Sequence, residues 1–136
     1  MKVYFAHPWG TETDGSAKIV KLLLEMRFKN WIFINPFKHK LTEEWLADKG
    51  NVEIAEKIVT KDLDLIRESD IVIAFLPSML QNYIPVGTCM EILYSKQFGK
   101  PVYVFTGKTS PWIIAHATFV TSVFDNLVKK LKEEYK

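Results

Sequence analysis

The sequence predicts a single α/β domain, a three-layer sandwich with helices on both faces of a five-stranded parallel sheet. Three observations predict it. Short apolar runs rich in β-branched and aromatic residues, such as Ile71 to Leu76 and Val102 to Phe105, read as strands buried on both faces. Stretches of helical periodicity separate these runs, and that alternation implies parallel pairing through right-handed crossovers. The 136 residues contain no repeat, low-complexity tract or linker, so residues 1–136 read as one domain long enough to bury a core. The architecture these features describe is flavodoxin-like.

Each element follows from its local pattern. Val3-Tyr4-Phe5-Ala6 is the first strand, followed by a polar, glycine-containing loop from His7 to Gly15. A helix is expected from about Ser16 to Lys29, with Ile19, Val20, Leu23, Leu24 and Met26 as a broad apolar stripe. Ile32 to Ile34 is the second strand, stopped by Asn35-Pro36. Residues 35 to 50 form a longer connection with one short helix, capped by Thr42 and followed by Glu43 and Glu44. A further helical region spans about Val52 to Glu68, either continuous or broken near Thr60. After the strand Ile71 to Leu76, Gly87 allows a tight backbone and Thr88 caps a helix that ends at Gly99-Lys100-Pro101. The strand Val102 to Phe105 follows, Ser110-Pro111 starts a short helix, and Thr118 to Val120 is the fifth strand. An amphipathic helix from about Val123 to Tyr135 carries Leu127, Val128 and Leu131.

Composition excludes several functions. Hydrophobic residues make up 48% and charged residues 25%, as in ordinary globular domains, with a net charge of +2. Lysines and glutamates are interspersed and the only arginines are Arg27 and Arg67, which leaves no clustered basic face for nucleic acid. No apolar run approaches the roughly 20 residues of a membrane span, and Met1-Lys2 leads into a strand with no signal-peptide pattern. A single cysteine, Cys89, suits a reducing compartment and reads as a small buried side chain. A cytoplasmic location is expected. Thr106-Gly107-Lys108-Thr109 echoes a phosphate-binding loop, but Val102 stands where its first glycine belongs. Lys38-His39-Lys40 reads as solvated, Trp112 as core and His116 as surface.

Two carboxylates stand out. Glu91 falls just after the loop leaving a strand's carboxyl end, where open α/β sheets bind ligands. If Thr88 is the cap, Glu91 lies in the first turn, held ionised by amide dipoles. Thr88-x-x-Glu91 also matches a capping box, so a structural role stays open. On a helix over residues 52 to 66, Asp62 lies roughly 20° from the centre of the apolar face at about 100° per residue, whereas Asp64 points away. A carboxylate on such a face must be paired or shift its pKa upward. Two carboxylates converging on one pocket are the equipment for cleaving a glycosidic bond with retention. The loop His7-Pro8-Trp9-Gly10 supplies candidate substrate contacts: His7 to donate to a base or sugar, Trp9 to stack on a base. Tyr4 reads as a second stacking wall or as core, and Gly87 and Thr88, just ahead of Glu91, are further candidate substrate contacts.

Val3 to Pro8, Asp62-Leu63 ahead of Ser69-Asp70-Ile71-Val72, Gly87-x-x-Met90-Glu91-Ile92-x-Tyr94, and Gly99-Lys100-Pro101 stand in a telling order. In that order the chain resembles the nucleoside 2-deoxyribosyltransferase family, which includes the 2'-deoxynucleoside 5'-phosphate N-hydrolases. The resemblance implies Glu91 as nucleophile and Asp62 as its assistant. It further implies a small-molecule nucleoside or nucleotide substrate, a homo-oligomer with shared sites, and no metal or organic cofactor. It places Ser110 where those hydrolases offer a phosphate-contacting serine from a neighbouring subunit. The chain departs at His7, where the family usually has Gly, and at Pro85, where transferases carry Asp and the hydrolases Ser. Transfer of a 2-deoxyribosyl group between bases is the expected reaction. Hydrolysis of deoxynucleoside monophosphates and a catalytically silent nucleotide sensor are the alternatives.

Overall fold

A computed structural model describes residues 1–77 and 85–135. Five parallel strands form one sheet in the order β2-β1-β3-β4-β5. They are β1 (Lys2–Ala6), β2 (Ile32–Ile34), β3 (Ile71–Leu76), β4 (Val102–Thr106) and β5 (Phe119–Thr121). Among the described residues, seven helices, α1 (Trp9–Thr13), α2 (Ser16–Arg27), α3 (Lys40–Ala47), α4 (Val52–Glu68), α5 (Val86–Gln97), α6 (Pro111–His116) and α7 (Phe124–Glu134), connect or follow them. The strand order is that of flavodoxin-like folds, with its switch point between β1 and β3.

Side-chain alternation along the strands divides the core in two. Val3, Phe5, Ile71, Ile73 and Tyr103 face α2 and α7, meeting Val20, Leu24, Leu127 and Leu131. Tyr4, Ala6, Val72, Ala74, Val102 and Val104 face the other way, toward Ile66 of α4 and Ile92 of α5. Register fixes this division, since a one-residue slip would exchange the two faces. Outside the core, the backbone N–H of Lys2 donates to the Asp70 carboxylate at 2.7 Å, which gives Asp70 a structural role.

The elements depart from expectation in instructive places. The loop 7–15 contains α1, because the Pro8 carbonyl accepts both the N–H and the hydroxyl of Thr11, at 3.0 and 2.7 Å. Helix α3 starts two residues before Thr42, which therefore lies inside it and is no cap. Helix α4 runs unbroken through Thr60, with the Asn51 side chain accepting the Ile54 N–H at 3.2 Å. Helix α5 starts from Pro85, whose carbonyl accepts the Cys89 N–H at 2.9 Å. That start draws Thr88 into the first turn and moves Glu91 into the second. Cys89 and Trp112 are exposed, against the sequence reading of both.

The apolar stripe of α2 is only partly used. Ala17, Val20 and Leu24 are buried, while Ile19, Leu22, Leu23 and Met26 are exposed. Substitutions on this helix should separate the two rows. Leu24→Ala should cost about 2–5 kcal/mol, and Ile19→Ala should stay within about 0.5 kcal/mol of the parent, read from urea midpoints. An equal loss at Ile19 would show that another copy of the chain covers the outer row.

Candidate active site

Tyr4 and Glu91 meet at the centre of the molecule. Tyr4 is fully buried in β1, on the sheet face beneath α4 and α5, and its hydroxyl donates to Oε2 of Glu91. It is therefore a support for the carboxyl and no stacking wall. Burial and the charges of Glu91 and Asp62 push the Tyr4 pKa far above its ordinary value, so the phenol remains a donor. The capping reading of Glu91 fails on the same geometry. A second-turn residue lies beyond the unpaired amides of the helix start, and its carboxyl is taken by Tyr4.

Asp62 and Glu91 line one cavity of about 330 Å³, bounded also by His7, Pro8, Trp9, Gly87, Thr88 and Tyr94. Most of its wall is apolar, and that decides the electrostatics. Burial raises Glu91 to about 8; the Tyr4 hydroxyl opposes the shift and the charge of Asp62 adds to it. Burial raises Asp62 to about 7, against the pull of Lys61. The expectation of a Glu91 held ionised by helix amides is thereby overturned, because desolvation outweighs any dipole at that depth. Oδ1 of Asp62 is buried without a hydrogen-bond partner among the described residues. Asp64 belongs to the solvated side as expected, exposed and 3.0 Å from Arg67.

His7 has a different task from the one its position suggested. Its Nδ1 lies 3.0 Å from the Phe5 carbonyl and its Nε2 lies 2.7 Å from Oε2 of Glu12. Asn35 donates to both oxygens of that same carboxylate, at 3.0 and 3.1 Å. Both ring nitrogens are committed to acceptors, so the imidazole presents its ring to the cavity and has no free N–H for a substrate. The network ties the ends of β1 and β2 to α1. Phe37 packs edge-on against both His7 and Trp9, with ring centroids 5.1 Å apart in each pair.

Two other candidates stand apart. Gly10 lies inside α1, where its carbonyl accepts from Asp14 and the Thr13 hydroxyl. Ser110 caps α6, accepting the Ile113 N–H at 3.3 Å, and faces a separate groove with Val86, Cys89, Met90 and Trp112. Sequence reasoning missed Glu12, Asn35, Phe37 and His39. The His39 side chain is only 8% exposed and its Nε2 lies 3.9 Å from Oδ1 of Asp62, so it is not a solvated residue. Its lysine neighbours in sequence concealed this, and no short-range pattern reveals it.

The fold agrees with known proteins. The chain matches the family model for nucleoside 2-deoxyribosyltransferase over residues 3–128, and it belongs to that family. No curated protein matches it significantly in sequence. In structure it is similar to the 2-deoxyribosyltransferase of Bacillus psychrosaccharolyticus, at 20% identity and a TM-score of 0.67, covering 94% of this chain and 90% of that one. The 2-deoxyribosyltransferase of Leishmania mexicana matches at 21% identity and 0.64, covering 99% of each chain. The CMP N-glycosidase of Clostridium botulinum matches at 19% and 0.58, covering 98% and 99%. Family and fold together support deoxyribosyl transfer or N-glycosidic cleavage as the class of activity. Among the described residues, no helix is long and apolar enough to cross a membrane.

The raised carboxyls carry a stability signature. With a folded pKa of about 7 and an unfolded value of 3.8, Asp62 holds a proton in the folded state that the unfolded state lacks between those values. Rising pH through that window therefore removes stability. Asp62→Asn should melt higher than the parent at pH 8.5, and the gain should vanish near pH 4. Asp64→Asn should change the melting temperature little at any pH. A flat difference for Asp62→Asn across the pH series would contradict its burial.

Proposed function

We propose that the chain transfers a 2-deoxyribosyl group between nucleobases by double displacement at C1', with Glu91 as nucleophile. The observation that carries this reading is the convergence of Glu91, braced by Tyr4, and Asp62 on one apolar cavity. In the first step an oxygen of ionised Glu91 bonds to C1' as the C1'–N bond breaks. The leaving nitrogen takes the proton from the neutral carboxyl of Asp62. In the second step an incoming base gives its proton to the Asp62 carboxylate and displaces Glu91 from C1'. A deoxy sugar, lacking the 2'-hydroxyl, forms the cation-like transition state more easily. Gly87, Thr88, Pro8 and Trp9 line the same cavity and are the candidate substrate contacts.

The same site performs hydrolysis when water takes the place of the second base. Pro85 leaves this position without the polar side chain that either branch of the family carries, so the products decide between the branches. A silent sensor is the weaker reading, because it gives neither the Tyr4–Glu91 contact nor the costly burial of Asp62 any purpose. A homo-oligomer is part of the proposal: Val86, Cys89, Met90 and Trp112 form an exposed, largely apolar surface beside the cavity, and Met90 borders both. A cytoplasmic location also belongs to this reading, supported by the lone thiol of Cys89.

Deoxynucleosides and their monophosphates, incubated with and without a second free base and separated by chromatography, test the reaction directly. Exchange is expected to match or exceed hydrolysis, with ribonucleosides much poorer; equal turnover of ribo and deoxy substrates would sink the assignment. Glu91→Gln should reduce base release to near background. A quenched reaction of the parent without acceptor should carry one deoxyribosyl unit, mapped to Glu91.

The pH profile is a separate test. Chemistry needs Glu91 ionised and one proton on Asp62, so the singly protonated pair is the active form. With the carboxyls raised to about 8 and about 7, kcat/KM should peak near neutral pH and fall on both sides. The profile of Asp62→Asn should lose its alkaline limb and lie lower by a factor of about 10² or more.

A further inference from the structure

Two histidines stand near the carboxyl pair, and they are held differently. Both ring nitrogens of His7 are taken, by the Phe5 carbonyl and by Glu12. His39 sits at the N-terminal boundary of α3 in extended conformation, and its side chain makes no capping bond. Its ring borders a hollow of about 420 Å³ that shares Asp62, Trp9 and Phe37 with the cavity of Glu91. Four buried side-chain polar atoms lack hydrogen-bond partners among the described residues. Three of them meet here: both ring nitrogens of His39 and Oδ1 of Asp62. Nε2 lies 3.9 Å from Oδ1, about 1 Å beyond an N–H···O bond. No other hydrogen bond among the described residues has to break for the ring to close that gap.

We propose that His39 is the positioning residue of the acid: its Nε2–H closes on Oδ1 as Asp62 gives up its proton and steadies the carboxylate so formed. This rests on the transfer reading above, in which Asp62 protonates the leaving base. Before that step Asp62 carries its proton, since burial raises it to about 7, and a neutral carboxyl has little need of a donor. As the C1'–N bond breaks, the proton passes to the leaving nitrogen and a negative charge appears on Asp62 inside an apolar wall. A hydrogen bond to that charge is stronger than one to the neutral acid, and only such a difference speeds the reaction. His39 keeps its own proton throughout; the incoming base returns one to Asp62, and the bond loosens. Burial, with the charge of Lys61 adding to it, lowers the His39 pKa, and the Pro36 carbonyl opposes the shift only in part. The ring therefore enters the step as a neutral imidazole with one N–H to give. The other charged groups around the pair are Lys61 beside Asp62 on α4, Lys49 on the wall of the hollow, and Glu91 on α5.

The test compares two substrates across a pH series. 2'-Deoxyguanosine needs a proton on its leaving base, whereas 7-methyl-2'-deoxyguanosine, whose base is already cationic, departs without one. His39→Phe keeps a flat ring and removes the donor. It should lower kcat/KM for deoxyguanosine by roughly tenfold or more and change it little for the methylated substrate. It should also move the alkaline limb for deoxyguanosine up by about one pH unit, because a carboxyl deprived of a donor ionises later. His39→Gln, whose amide can donate, should restore part of both effects. Equal losses on the two substrates, or an unmoved alkaline limb, would overturn the proposal. Should His39→Phe fail to fold, nitrogen-15 histidine NMR of the parent decides. The Nε2–H proton of His39 should move downfield as Asp62 ionises and stay still in Asp62→Asn; a proton indifferent to Asp62 would remove the contact. A parent that releases no base from any substrate refutes the transfer reading, and with it the task of the contact, whatever the proton signal shows.

Discussion

The hydroxyl of Tyr4 donating to Glu91 is the contact on which the rest of the site depends. A carboxyl set in an apolar cavity needs a donor, or it stays protonated and inert. The donor must itself resist ionisation, and a phenol buried beside two acidic groups meets that need. Tyr4 reaches Glu91 only because strand parity turns it toward α5 while Val3 and Phe5 pack under α2 and α7. Sheet register, core and nucleophile are thus one arrangement.

The surrounding structure serves to hold that arrangement still. Glu12 joins His7 to Asn35 and so ties the ends of two adjacent strands across α1. Phe37 and Trp9 rest on this brace, giving the cavity a stiff aromatic wall. The two acidic groups inside are costly because the same wall excludes water from both. The cavity raises both carboxyls into the neutral range, Glu91 to about 8 and Asp62 to about 7, so the pair can carry a single proton there, as working acid–base sites do.

Much of the fold was legible in the sequence. β2, β3 and α4 were read to the residue, and β1 and β4 to within one residue at one end, because buried parallel strands are unbroken apolar runs and α4 carries a clear stripe. Asp62 was found by its angle on that stripe, and Asp64 was set aside by the same measure. What escaped was set by contacts distant in sequence. The purpose of Tyr4 depends on Glu91, which lies 87 residues away. The hydrogen bonds that occupy His7 come from Phe5 and from a helix too short to show periodicity. His39 looked solvated between two lysines, because burial at the mouth of a cavity leaves no periodic trace. The apolar stripe of α2 was read too broadly, since periodicity shows which residues share a side and not how much of that side the domain covers.

The beginning of α5 at Pro85 has a consequence for how this chain can vary. The proline sets the rotational phase of everything after it, and each residue of helix adds about 100°. Five steps separate Val86 from Glu91, which brings the carboxyl round to face β1. Deleting or inserting one residue between them would swing Glu91 by more than a quarter turn, away from the Tyr4 hydroxyl, while the helix itself could still form. Homologous chains that keep this chemistry should therefore not change length along Val86 to Met90, a gap-free window that belongs to the angular pitch of the helix.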